Sequence, residues 1–254
     1  MRLKLIGCEV FTREVCHCVA RSPHIVDIEF TAINSHDNPD SLRQFIQAKI
    51  DSCAESRNYE AILLCFGLCG NSTLNLQARE IPIVIPRAHD CCTLFLGSKS
   101  QYKDHFSDKP SSRFTSTGYI ERGGDSFAHD LSDAAKQMGL EKSYDDYVKK
   151  YGEYCAKYLW KTLHDTYEKL AEDNTIIFID IPETSHLGFA LKCEERAKAE
   201  GKEFVQLSGS LALIEKLIFG DWNENDFLVV KPGCWITGVY DLDEIVKAEA
   251  VEKT

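Results

Sequence analysis

The chain has 254 residues, enough for a sizeable core in one large domain or two lobes, and its 44% hydrophobic and 27% charged content is that of a soluble globular fold. A formal net charge of −11 excludes non-specific nucleic-acid binding, which needs a basic surface to neutralise phosphates. No apolar run reaches the roughly 18 residues of a membrane span, and the N-terminus lacks the longer apolar core of a signal peptide, so a cytoplasmic protein with no nucleic acid and no membrane partner is expected.

Eleven cysteines is a high number for this length, and it is odd, with irregular spacing. Without a sign of secretion, such a set argues against a disulfide framework and for buried thiols, metal ligands or nucleophiles in a reducing compartment.

In chain order, residues 2–7 read as a first strand with Cys8-Glu9 at its carboxyl end. Residues 11–20 follow as a helix with Glu14 in its first turn. Cys16 and Cys18, two apart, face different sides of it and are expected to pack. Residues 26–31 alternate as a second strand, and the loop to Pro39 carries His36. Residues 42–54 are helical, capped by Asp40 or Ser41, with Leu42, Phe45, Ile46 and Ile50 at helical spacing and Cys53 packing near the end. Two short, continuous apolar runs, 61–66 and 82–85, suit parallel strands buried on both faces.

Residues 97–125 are polar, a lid or an excursion between lobes, and residues 131–173 read as helical. There Tyr144, Tyr147, Tyr151, Tyr154 and Tyr158 recur every three or four residues, extended by Trp160, Leu163 and Tyr167, and a stripe of this spacing is expected in a core. Residues 175–181, 203–207 and 227–230 are strands, and 187–200 and 210–218 are helices. Lys231-Pro232-Gly233-Cys234 is expected to face the cleft, and the charged tail, 242–254, to be helical. The fold class expected is α/β and two-lobed, with parallel-sheet, Rossmann-like βαβ units and a helical excursion between the lobes, divided 1–98, 99–173 and 174–254.

In an open α/β sheet, ligands bind outside the carboxyl ends of the strands, and four such ends here carry reactive side chains: Cys8, His36, Cys69 and the His89-Asp90-Cys91 loop. Gly67 and Gly70 flank Cys69 and are expected to turn backbone N–H groups toward it, lowering its pKa. His89 and Cys91 can share a metal if their loop curls, with Asp90 orienting His89 or capping the next helix. His36 is a ligand, a general base or an exposed loop histidine. Glu9 and Glu14 lie near the same edge, where a carboxylate often only complements a helix dipole. The remaining histidines, His129 among them, have no convergent context. The fingerprints of nicotinamide folds, P-loop NTPases and α/β-hydrolases are absent.

The loops Phe66-Gly67-Leu68-Cys69-Gly70-Asn71 and Pro86-Arg87-Ala88-His89-Asp90-Cys91, with Cys8-Glu9, Arg13-Glu14, His36, Leu96-Gly97-Ser98, Gly220-Asp221-Trp222 and Pro232-Gly233, resemble an uncharacterised domain-of-unknown-function family along most of the chain. Genes of that family often lie beside corrinoid proteins and methylamine- or betaine-type methyltransferases. The resemblance therefore implies corrinoid-linked one-carbon or methyl-transfer metabolism, as association rather than mechanism. Cys65, Cys92 and Cys234 depart from the pattern, which weakens a ligand role for them.

The expectation is a metalloprotein, an enzyme acting on a small-molecule substrate, with Cys8, Cys69 and Cys91 as thiolate ligands joined by His89 or His36. Zinc suits a mixed Cys/His set with an open position, and a [4Fe–4S] cluster on the same cysteines is the alternative. Glu9, His36 and Asp90 are the acid–base candidates, and Gly67, Gly70, Asn71 and Arg87 the candidates for holding a bound group. Other readings are an accessory module docking on a corrinoid protein or methyltransferase, and a metal-free Cys/His enzyme.

Overall fold

A computed structural model describes residues 1–53, 58–107, 112–123, 142–172, 174–239, 241 and 243–250. The chain runs β1 (Arg2–Cys8), α1 (Thr12–Arg21), β2 (Ile25–Thr31), α2 (Pro39–Cys53), β3 (Ala61–Cys65), β4 (Ile83–Pro86), α3 (Cys91–Leu96), α4 (Lys99–Phe106), β5 (Phe114–Ser116) and α5 (Thr117–Glu121). It continues with α6 (Tyr144–Tyr151), α7 (Glu153–Glu172), β6 (Thr175–Asp180), α8 (Phe189–Glu200), β7 (Glu203–Ser208), α9 (Ala212–Phe219), β8 (Phe227–Val230), β9 (Cys234–Gly238) and β10 (Val246–Ala250). The architecture is α/β with mostly parallel sheets, as the sequence predicts. No helix among the described residues is long and apolar enough to cross a membrane.

The larger sheet has the order β2-β1-β3-β4-β8. Its first four strands are parallel, and β8 runs antiparallel to β4, with Val230 opposite Ile83 and Phe227 opposite Pro86. From β1 the chain builds β2 on one side and then crosses to build β3 on the other. The loops leaving β1 and β3 therefore diverge, and the crevice between them is the switch point of a doubly wound sheet.

Both faces of the sheet are covered, which is why β3 and β4 are continuous apolar runs. On one face Leu3, Leu5, Leu63 and Val84 pack with Val15 and Cys18 of α1, Phe95 of α3 and Leu217 and Ile218 of α9. On the other, Ile6, Ile62, Leu64, Ile83 and Ile85 meet Leu42, Ile46 and Ile50 of α2 and Ile236 and Val246 of the last hairpin. A smaller parallel sheet, β5-β6-β7, joins the first core through Ile179 and Ile181.

Several expectations change. α2 begins at Pro39 and is capped by Asn38, whose Oδ1 accepts the Ser41 N–H at 3.1 Å; proline's missing N–H costs nothing in the first turn. Sheet pairing crosses the three-part division, because β8 belongs to the first sheet and β5 to the second. Since β8 is antiparallel, Lys231–Cys234 emerges at the amino edge, away from the cleft. Within the tail, Val246–Ala250 is a strand: β10 pairs with β9, and the ladder overrides the helix propensity of Lys247-Ala248-Glu249. The tyrosine stripe is core only in part, for Tyr147 is buried while Tyr154 is 90% and Tyr158 70% exposed. Gly152, at φ 76° and ψ 158°, breaks the helix there, and Tyr144 and Tyr147 fold onto Trp160 instead. Cys16 is exposed while Cys18 packs. His129, the start of the expected 131–173 helix and the Tyr167 side chain lie outside the described residues.

Gly118 sets how closely α5 sits on the first lobe. A Cβ there would stand 1.8 Å from the Val10 carbonyl oxygen, a backbone atom that cannot swing aside. Gly118→Ala is expected to destabilise the protein by at least about 1–3 kcal/mol, the usual cost of overpacking, measured by urea denaturation.

Candidate functional site

Cys8 ends β1 and Thr31 ends β2, level with each other in the parallel register. The next two strands deliver longer loops. Beyond β3, Leu68 N–H donates to the Ala88 carbonyl at 2.9 Å and Cys69 N–H to the His89 carbonyl at 3.1 Å, so the loop after β3 zips onto the loop after β4. The zip requires glycine at 67, where a Cβ would lie 2.6–2.8 Å from three backbone atoms of Asp90. Cys69, Gly70 and Asn71 then turn in succession through left-handed conformations, at φ 44°, 66° and 69°.

The result is a cavity of about 20 Å³, lined by Cys8, Cys69, Cys91, His36, Thr31 and Tyr119 with the apolar side chains of Phe11, Leu42 and Phe66. That is room for about one water molecule or one ion. Three thiols from three adjacent strand ends thus share one small space. Among the described residues, however, no three His, Cys, Asp or Glu side chains stand in an arrangement ready to hold a metal ion. The donor chemistry fits a soft cation, while the side chains have not closed on a common point.

Each residue keeps some exposed surface, yet burial dominates all three thiols. It raises Cys8, pushes Cys69 up to about 12 and raises Cys91 well above the ordinary thiol value. The expected lowering of the Cys69 pKa is therefore reversed. Backbone amides at Gly67 and Cys91 do favour the thiolate, but desolvation outweighs them, and the Asp90 charge adds to it. Tyr119 completes the wall, its hydroxyl 2.7 Å from Cys91 Sγ.

The other candidates have different surroundings. His36 lines the cavity, half-exposed, with Nε2 3.7 Å from Asp37 Oδ1. His89 does not line it: its ring lies 6.0 Å from the Tyr102 ring, and its buried Nε2 has no partner among the described residues. The shared backbone zip faces the cysteines, and the imidazole points toward α4. Asp90 caps α3 by accepting the Thr93 N–H at 3.3 Å, and burial raises its carboxyl. Glu9 accepts the Ile33 N–H at 2.7 Å, tying the two loops together. Arg87 donates to the carbonyls of Glu224, Glu244 and Val246, clasping the last hairpin. Gly70 and Asn71 are exposed, and the Asn71 carbonyl accepts from Arg43.

Sequence reasoning missed Tyr119, Thr31 and Phe11. Tyr119 was hidden inside a stretch read as a polar lid. The signal for it is Ser116, which caps α5 by accepting the Tyr119 N–H and so sets Tyr119 in the first turn of that helix. Replacing Asp90 separates its two expected roles: Asp90→Ala is expected to lose about 1 kcal/mol of stability and Asp90→Asn far less, because an amide oxygen also caps, as read by thermal melting.

No curated protein and no solved structure matches this chain. A family model does, described as protein of unknown function (DUF1638), over residues 30–218, a span that includes His36, both zipped loops, α5 and the second sheet. With most of its length inside that match, the chain belongs to the DUF1638 family.

Proposed function

We propose that this chain is a metalloprotein whose Cys8, Cys69 and Cys91 thiols hold one zinc ion at the switch point of the larger sheet. One observation carries the reading: three thiols from three strand ends line a single cavity of about 20 Å³. That size favours one ion over a cluster, because a cube of four irons and four sulfides would need the walls to part. His36 stands at the same wall and is the fourth donor in preference to His89, which faces Tyr102.

When bound, zinc would act there as a Lewis acid or keep a substrate thiolate nucleophilic. The chain's own residues do the rest. Tyr119 holds the Cys91 sulfur in place, the zipped loops fix the separation of Cys69 and Cys91, and Phe11, Leu42 and Phe66 keep the site dry. The wider setting, an enzyme of corrinoid-linked one-carbon or methyl-transfer metabolism, is supported by the sequence resemblance alone.

Metal analysis of anaerobically purified protein tests this. About one zinc per chain is expected, lost in Cys69→Ser and Cys91→Ser, kept in Cys16→Ser and Cys155→Ser, and reduced by His36→Ala but not by His89→Ala. Brown protein with bound iron would replace zinc by a cluster open at one iron. Equal metal content in all variants would refute the site. Because the thiols must lose protons to bind, zinc affinity should rise with pH through the neutral range, read by competition with a chromophoric chelator.

A further inference from the structure

We propose that a second cavity, between α1, the end of α5 and the loop after β6, binds a small organic cation through its N–H groups, with Glu14 as the counter-charge. The cavity has a volume of about 410 Å³, and none of its lining residues lines the cysteine cavity. Glu14 forms part of its wall and is 1% exposed. Neither carboxyl oxygen has a hydrogen-bond partner among the described residues, and the Glu14 backbone amide favours the charged form without offsetting its burial.

A buried carboxyl without donors costs about 1–3 kcal/mol or more in lost hydration, so its retention calls for a reason. Helix-dipole complementation does not offset that cost, since burial outweighs it and raises the carboxyl to about 7. What the group lacks is a donor, and the cavity beside it is where one can enter, with the side chain turning outward to meet it.

The charges around the cavity select the sign of the ligand. Arg13 is consumed by Glu121 in a two-bonded pair at 2.6 and 2.7 Å, which cancels both. Arg122 leans toward Glu9 at 3.9 Å. Glu183, exposed on the loop after β6, has no ion pair among the described residues. Glu14 and Glu183 therefore remain as unbalanced carboxylates, and a cation is the complement. Cys16, His17 and His186 complete the titratable groups lining the space.

The test uses the full chain and three probes of one size, benzylamine, benzyl alcohol and benzoate, with binding read by ligand-observed NMR. Benzylamine is expected to bind and the other two to bind at least tenfold more weakly. Its affinity should fall about tenfold per pH unit below about 7, where Glu14 takes up a proton, and level off above. Glu14→Gln, checked for folding by thermal melting, should abolish the preference and flatten the profile. If that variant does not fold, infrared difference spectra of the wild type decide, because benzylamine should remove the carbonyl band of a protonated carboxyl. Preference for benzoate, no benzylamine binding, an unchanged carboxyl band, or a pH profile that survives Glu14→Gln and so belongs to the histidines would each overturn the proposal.

Discussion

The contact on which the cysteine site depends is between two pieces of backbone. The loop after β3 and the loop after β4 are joined by the Leu68 and Cys69 amides, and they can approach only because residue 67 has no side chain. Cys69 and Cys91 converge through this zip. It brings Cys69 to the mouth of β1, where Cys8 waits, and it sets the start of α3 so that Cys91 points into the same space while His89 points out of it. One pair of hydrogen bonds thereby separates neighbouring residues of one loop into a cavity-lining thiol and a histidine outside the cavity.

Burial governs the chemistry at both cavities. At the cysteine cavity it holds the thiols protonated against local amides that favour the anion, so a cation is what would draw the protons off. At the second cavity the same effect raises the Glu14 carboxyl to about 7. In both places a low-dielectric wall surrounds a titratable group and disfavours its anion, and such groups are poised to respond to an arriving positive charge.

The smaller sheet contributes to the site through α5. This helix leaves β5, presses its Gly118 against the Val10 carbonyl, and lays Tyr119 over Cys91. Phe11 and Phe95, 4.5 Å apart, and Phe114, edge-on to Tyr119, form the aromatic packing behind it. The two sheets are therefore coupled at the cavity wall, with a residue from outside the first lobe closing a site built by its strand ends.

Much of this was legible in the residues. Continuous apolar runs at 61–66 and 82–85 announce strands covered on both faces, and the alternation of strands and helices fixes a parallel sheet whose carboxyl edge must collect Cys8, His36, Cys69 and the loop at 89–91. Local pattern could not say that β8 runs antiparallel, because four apolar residues read alike in either direction, and so the Lys231–Cys234 turn was placed at the wrong edge. Nor could it say that Tyr154 and Tyr158 face outward while Tyr147 is buried, since period shows that a face exists and only the packing partners show whether it is covered. The sequence by itself determined the class of fold, the edge on which chemistry gathers and the soft donors gathered there. Tertiary structure decided that Cys91 and not His89 enters the cavity, that Tyr119 closes it, and that burial raises the thiols and Glu14, because pairing direction, side-chain aim and desolvation arise only when distant segments are packed together.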